Sequence, residues 1–341
     1  MNYELLIFLP IAIFLINLFF KYNKFALSYS GDEHQKYVEK KSIPLSGGLI
    51  IITISLSLFY ENNYIYAAAL SVIFLIGFLS DLNFLSSPKT RFILLTFTIL
   101  FFVYLSKLNV GSTQIYFIDF LLENIFFSIF FTTFCLMIVV NGSNFIDGLN
   151  GLVLGYYLIV LTIIFNLNIY ENIYIQDYKI IIFIILIGFL LLFNFFNQLY
   201  VGDGGAYTLG FTCGYFLIAY YQNNNWISPY FVILVLWYPC FENLFSIIRK
   251  CLFNNSPLKP DIKHFHQLLF FFISKKFKYK NIYVNNSSSL IILFYNSLIL
   301  FFGSQNTQST KFQILLISIN ILVYIFFYIH LHKFRERFKS S

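Results

Sequence analysis

About eleven apolar stretches, each roughly 15 to 20 residues long, divide this 341-residue chain, and a stretch of that length crosses about 30 Å of hydrocarbon only as an α-helix. They run approximately over 3–20, 45–60, 64–80, 92–106, 124–140, 151–167, 179–196, 207–221, 227–245, 288–303 and 313–331. Lipid offers no partner to an unpaired N–H or C=O, so the fold class that follows is an all-α integral membrane protein with about 11 transmembrane helices. The segment 107–123 fits none of the spans and suits either a short hairpin or an interfacial helix. Composition excludes a soluble domain: 59% of residues are hydrophobic and 22% aromatic against 11% charged. The first twenty residues lack the basic start and small-residue cleavage site of a secretory leader and read as the first span. Cys135, Cys213, Cys240 and Cys251 have neither metal nor redox spacing and read as core filler.

Cations set the orientation. Of 22 Lys and Arg residues, all but Lys107, Lys179 and Lys311 fall on one side of the eleven-span arrangement, which the positive-inside rule assigns to the cytoplasm. The N-terminus is then outside and the C-terminus cytoplasmic. A single polytopic domain results, with cytoplasmic loops 21–44, 81–91, 141–150, 197–206 and 246–287 and a cytoplasmic tail 332–341. The net charge of +7 reflects this topology and attraction to anionic lipid, and implies no nucleic-acid partner.

The same side collects every polar, glycine-rich interruption: KKSIPLSGG (40–48), SDLNFLSSPKTR (80–91), NGSNFIDGLNG (141–151), NQLYVGDGGAY (197–207) and KPDIKHFHQ (259–267). Three carboxylates, Asp81, Asp147 and Asp203, stand at the mouths of spans there. Carboxylates brought together repel unless a hard divalent cation joins them, and Mg²⁺ favours carboxylate oxygens combined with substrate phosphates, Mn²⁺ being the alternative. Glycines beside Asp147 and Asp203 expose backbone amides that suit a diphosphate. A DG or GDGG sequence alone describes a turn or helix cap equally well; it is the gathering of five such loops on one face that points to a site.

In this order and between these spans, the motifs resemble those of the polyprenyl-phosphate N-acetylhexosamine-1-phosphate transferases, over residues 36–267. IPLSGG (43–48) is similar to that family's proline and paired-glycine element, and Asp81 with Pro88 and Arg91 to its acidic segment. NFIDGLNGL (144–152) looks like its central signature, Asn194 with VGDGGA (201–206) like its nucleotide-binding loop, and PDIKHFHQ (260–267) like its histidine motif. Differences are visible. Ser80 stands where many members have a second aspartate, Asn150 replaces another in the central signature, Gln267 ends the histidine motif, and Val38 lies where some carry a histidine.

The resemblance implies transfer of a sugar 1-phosphate from a UDP-N-acetylhexosamine to undecaprenyl or another polyprenyl phosphate, with release of UMP, at the bacterial inner membrane. This is the initiating step of a cell-envelope polysaccharide. On that basis Asp203 is the expected metal ligand, joined by Asp147 directly or through water. Asp81 would orient or deprotonate the acceptor phosphate, whose own nucleophilicity makes a covalent aspartyl intermediate unnecessary. Asn144, Asn194 and Gly202 are expected at the nucleotide sugar. His264 and His266, two apart on an extended stretch and so facing one side, would grip the departing phosphates, with solvation or zinc as the alternatives. Lys36, Lys40 and Arg91 are candidates for phosphate or lipid neutralisation. Glu242 is expected to pair with Arg249 or to cap backbone, and Lys275 to Lys280 to lie on anionic headgroups.

Two rivals remain at this level. A transporter or flippase also has many spans and buried carboxylates, but its site would lie near the midplane in broken helices, whereas these spans read as almost uninterrupted. Within the same family, a phospho-N-acetylmuramoyl-pentapeptide transferase would use a different nucleotide-linked donor. The sequence leaves a homodimer open.

Overall fold

The computed structural model describes residues 3–24, 26–28, 43–60, 63–171, 177–224, 226–252 and 263–340. Helices α1 (Tyr3–Tyr22), α2 (Gly47–Phe59), α3 (Tyr64–Asp81), α4 (Pro88–Ser106), α5 (Tyr116–Leu122), α6 (Ile125–Ile146) and α7 (Leu152–Glu171) make up the first half. The second half holds α8 (Asp177–Phe195), α9 (Gly202–Asn223), α10 (Pro229–Val235), α11 (Trp237–Leu252), α12 (Phe265–Lys276), α13 (Asn281–Ser304) and α14 (Thr310–Ser340). Strands β1 (Leu27–Ser28) and β2 (Ile43–Pro44) form one short antiparallel pair.

Every apolar stretch of the sequence coincides with a helix, but the count of eleven spans is not what the fold supports. Among the described residues six helices are long and apolar enough to cross a membrane (α3, α4, α6, α8, α13 and α14), or seven if α10 and α11 form one broken span. The difference comes from judging each helix as if it lay alone in lipid. Helix α9 runs 22 residues with five glycines and several Thr and Tyr, and from Gly204 to Leu217 all but one residue is buried. Its neighbours α2, α3, α6 and α7 shield it, so it needs small residues for close packing more than apolar ones for lipid.

Glycine sets those close approaches. A Cβ on Gly77 of α3 would meet the backbone of Gly204 at 2.5 Å, and one on Gly48 of α2 would meet the Gly205 nitrogen at 2.7 Å. The loop before α9 is held the same way: Gly47 N–H donates to the Tyr200 carbonyl, Gly48 N–H to that of Val201, and Tyr200 N–H to that of Pro44. The proline and glycine element of the sequence is therefore a clamp on the start of α9.

Elsewhere the elements differ from the loops expected. Residues 141–146 continue α6 rather than interrupting it, leaving only 147–151 as the break. Residues 246–287 contain the end of α11 and all of α12, and 332–340 prolong α14, which at 31 residues extends about 46 Å. The segment 107–123 carries the short helix α5, with Asp119 accepting from the Ser112 hydroxyl and the Thr113 N–H. The cysteines form no disulfide, and Cys251 is exposed rather than core.

The stretch 227–245, read as one span, is bent by 80° between α10 and α11. Pro239 accounts for it: without an N–H it cannot serve the carbonyl of Val235 four residues back. The fully buried Tyr156 hydroxyl takes over, donating to the Val235 carbonyl at 2.8 Å and accepting from Tyr238 N–H at 3.2 Å.

Candidate active site

The close approach of α3 to α9 brings the C-terminus of one helix onto the N-terminus of the other. The first N–H groups of a helix lack partners and carry a partial positive charge, and a carboxylate satisfies both. Asp81, last residue of α3, fills that role: Oδ1 accepts from Asp203 N–H at 2.8 Å and Oδ2 from Gly204 N–H at 3.2 Å. Each oxygen thus serves one backbone donor of the first turn of α9. Gly202 makes the arrangement feasible. Its φ of +72° is a left-handed conformation, and a Cβ there would lie 2.6 Å from Asp81 Oδ2.

Asp147 caps the C-terminal end of α6 and reaches the same place, accepting a hydrogen bond from Gly202 N–H. Surrounding protein atoms strip water from its carboxyl, and the negative charges of Asp203 and Asp81 add to the effect, pushing its pKa well above the usual carboxylate range. Asp81, Asp147 and Asp203, up to 122 residues apart, therefore converge around Gly202.

Among the described residues one cation faces them. Arg91, in the first turn of α4, places its guanidinium 2.5 Å from Asp203 Oδ2. The Ser80 hydroxyl donates to that same oxygen at 2.8 Å and accepts from Arg91. Ser80, which occupies the place of a second family aspartate, thus acts as a neutral bridge in the ion pair. Asn144, one turn before Asp147, donates to the Tyr207 hydroxyl at 3.0 Å, and Tyr207 lies one turn beyond Asp203 on α9.

Asn194 sits deeper. It is buried, its Oδ1 accepts from Gly151 N–H at 2.5 Å and its Nδ2 donates to the Leu199 carbonyl at 2.8 Å. Its amide ties the loop after Asp147 to the loop before Asp203, a positioning task. Asn150 does related work, donating to Asn197 Oδ1 at 2.6 Å while its own N–H donates to Asn285 of α13.

The histidines are not on an extended strand. His264 is the N-cap of α12, its N–H donating to Gln267 Oε1 at 3.2 Å, so the glutamine that ends the motif closes half of a capping box. Both rings are buried and stack nearly parallel with centroids 5.7 Å apart. His266 lies against Gly148, where a Cβ would come within 2.3 Å of its Nε2, so the histidine motif does meet the central signature. Of the two partners expected for Glu242, backbone is met and Arg249 is not: its Oε1 accepts from Phe265 N–H at the start of α12 and lies 2.9 Å from His264 Nδ1, whereas Arg249 lies over the Tyr328 ring. Lys36 and Lys40 lie outside the described residues.

The donor set suits a hard divalent cation. Three carboxylates face a single guanidinium, and Asp147 and Asp203 each keep oxygen capacity beyond the bonds described. Among the described residues no three acidic, imidazole or thiol groups form a ready-made cage. Mg²⁺ bound by one or two carboxylates and completed by phosphate oxygens needs none. What sequence reading missed is the wiring: Ser80 as a bridge, Tyr207 beside Asn144, and Glu242 behind His264. Only Ser80 was signalled, by its departure from the motif.

Residues 63–221 match the profile described as Glycosyl transferase family 4. The chain is 31% identical over 138 residues to a probable undecaprenyl-phosphate N-acetylglucosaminyl 1-phosphate transferase of Bacillus subtilis, covering 39% of this chain and 38% of that protein. It is 26% identical over 251 residues to the undecaprenyl-phosphate alpha-N-acetylglucosaminyl 1-phosphate transferase of Thermotoga maritima, covering 74% and 75%. A phospho-N-acetylmuramoyl-pentapeptide-transferase of Sulfurimonas denitrificans is 29% identical over 219 residues, covering 54% and 62%. The matched region contains Asp81, Arg91, Asp147, Asn194 and Asp203, and over these residues the chain is similar to glycosyl transferase family 4.

Proposed function

We propose that this protein transfers N-acetylhexosamine 1-phosphate from a UDP-sugar to undecaprenyl phosphate or another polyprenyl phosphate, initiating a cell-envelope polysaccharide. An oxygen of the acceptor phosphate attacks the phosphorus attached to the sugar. The bond from that phosphorus to the bridging oxygen breaks, and UMP leaves with the electron pair. The observation that carries the reading is the convergence of Asp147 and Asp203 on Gly202, at one end of a helical bundle whose relatives are named for this transfer.

The residues divide the work. Asp203 and Asp147 would hold Mg²⁺, or Mn²⁺ in its place, which when bound supplies neutralisation of the two phosphorylated substrates. Asp81 fixes the first turn of α9, and with it Asp203. Arg91 holds Asp203 by its ion pair and offers positive charge to a phosphate; Asn144 and Gly202 are the candidates for the nucleotide sugar. Support for a cytoplasmic site comes from charge: Lys89, Arg91, Arg249, Lys250 and the basic end of α14 lie on the side of the sequence arrangement assigned inward.

The test is UMP release by the purified protein given Mg²⁺, undecaprenyl phosphate and a panel of UDP-N-acetylhexosamines. UDP-N-acetylmuramoyl-pentapeptide is included because of the Sulfurimonas relative. Turnover with one of the simple sugars is expected, and Asp203→Asn should lose about 10²–10³-fold while remaining folded. No UMP from any donor, or full turnover by Asp203→Asn, would overturn the proposal.

A further inference from the structure

Behind the histidines lies an acid that the transfer itself does not call upon. Glu242, in the second turn of α11, is 1% exposed, and a buried carboxyl is costly unless its oxygens are well supplied with donors. It has three, from two other elements. Oε1 is 2.9 Å from His264 Nδ1 and 3.1 Å from Phe265 N–H, at the start of α12, and Oε2 accepts from the Tyr324 hydroxyl of α14 at 2.8 Å. One turn further along α14, Tyr328 donates to the Lys263 carbonyl at 3.2 Å, so the short segment 263–265 is fastened from both α11 and α14. A carboxylate only accepts, so His264 Nδ1 is the donor in this bond.

The fastening continues toward the aspartates. Phe145, two residues before Asp147, holds one side of the His264 ring with centroids 5.3 Å apart, and His266 stacks beside it. His266 in turn abuts Gly148, the residue after Asp147, at a distance that leaves no room for a methyl group. A contact path therefore runs from Tyr324 through Glu242, His264 and His266 to the loop that presents Asp147.

We infer that Glu242 is a positioning residue for the reaction, holding the His264–His266 pair so that it buttresses the Asp147 loop; the inference rests on the transferase reading above. Buttressing acts on the geometry of the reacting groups rather than on donor affinity. Glu242→Gln preserves size and can still accept, but it weakens a charge-assisted bond to a neutral one.

The experiment uses full-length protein in lipid nanodiscs. With UDP-N-acetylhexosamine and undecaprenyl phosphate, Glu242→Gln is expected to lower kcat about 10- to 100-fold, with KM for the nucleotide sugar changed less than about twofold. In ¹⁵N-histidine-labelled protein, the downfield Nδ1–H proton resonance of His264, assigned by its loss in His264→Asn, should move upfield in Glu242→Gln. Wild-type kcat in a folded Glu242→Gln protein overturns the inference, as does an unmoved resonance. If Glu242→Gln does not fold, Tyr324→Phe carries the test, because it removes one donor and leaves the packing: a lowered kcat at constant KM supports the inference and wild-type kcat overturns it. If the wild-type protein releases no UMP from any donor, the transferase reading fails, while the resonance still decides whether Glu242 holds His264.

Discussion

Gly77→Ala should disable the site from one turn away without replacing a candidate ligand. A Cβ at this position would meet Gly204 Cα and N at 2.5 Å and the Asp203 carbonyl carbon at 2.7 Å. All three are backbone atoms, so no side chain can rotate aside, and ordinary contact returns only if α3 and α9 separate by about 1 Å. Overpacking of this kind costs about 1–3 kcal/mol, offset by about 0.5–1 kcal/mol because Ala is the better helix former. A net loss of about 1–2 kcal/mol would lower the thermal midpoint modestly. The effect on turnover should be much larger. Asp81 follows Gly77 by one turn, and its bonds of 2.8 and 3.2 Å to the N–H groups of Asp203 and Gly204 span the helix pair being pushed apart. Displacing Asp203 by about 1 Å is expected to cost about 10²-fold in kcat, read by UMP release. Gly188→Ala is the matched control, since nothing lies within 4 Å of a Cβ there, and it should leave turnover unchanged while raising the midpoint slightly through the better helix propensity of Ala. Wild-type turnover and midpoint in Gly77→Ala would refute the claim that the α3–α9 approach sets the site.

Asp147 makes stability depend on pH. Its carboxyl binds a proton more tightly folded than unfolded, so between the ordinary carboxylate range and its raised folded value the folded chain holds more protons, and stability falls as pH rises. In buffer with EDTA, Asp147→Asn should therefore melt higher than wild type at neutral pH, with the gap closing at about pH 4; a gap that widened toward acid would contradict the assigned environment. At the helix break, Tyr156→Phe removes the hydroxyl that serves the Val235 carbonyl and Tyr238 N–H, and should cost about 1–3 kcal/mol for each buried group left unpaired. An unchanged thermal midpoint would show that the break is satisfied some other way.

Much of this protein can be read from local sequence. Apolar runs of sufficient length placed the helices, because a backbone in lipid has to bond to itself. The weak stretch 107–123 did become the short helix α5. The acidic set Asp81, Asp147 and Asp203 was visible as polar residues tolerated at the ends of apolar segments. Pro239 breaks a helix within an apolar run, and mean hydropathy over a window does not register one missing donor.

Tertiary structure decided the rest. That α9 is an interior helix depends on Gly48, Gly77 and Gly204 sharing its contacts, and hydropathy carries no information about which helix is surrounded by others. Asp81 turns to the start of α9, Asn194 ties two loops, and Glu242 holds His264 instead of Arg249, because hydrogen bonds form between groups brought to about 3 Å. The sequence by itself determined the membrane class, the helical segments and the identity of the acidic residues, all properties of a residue and its near neighbours. Which donor each acid meets was settled only by the distances between helices, and those follow from packing that no single segment encodes.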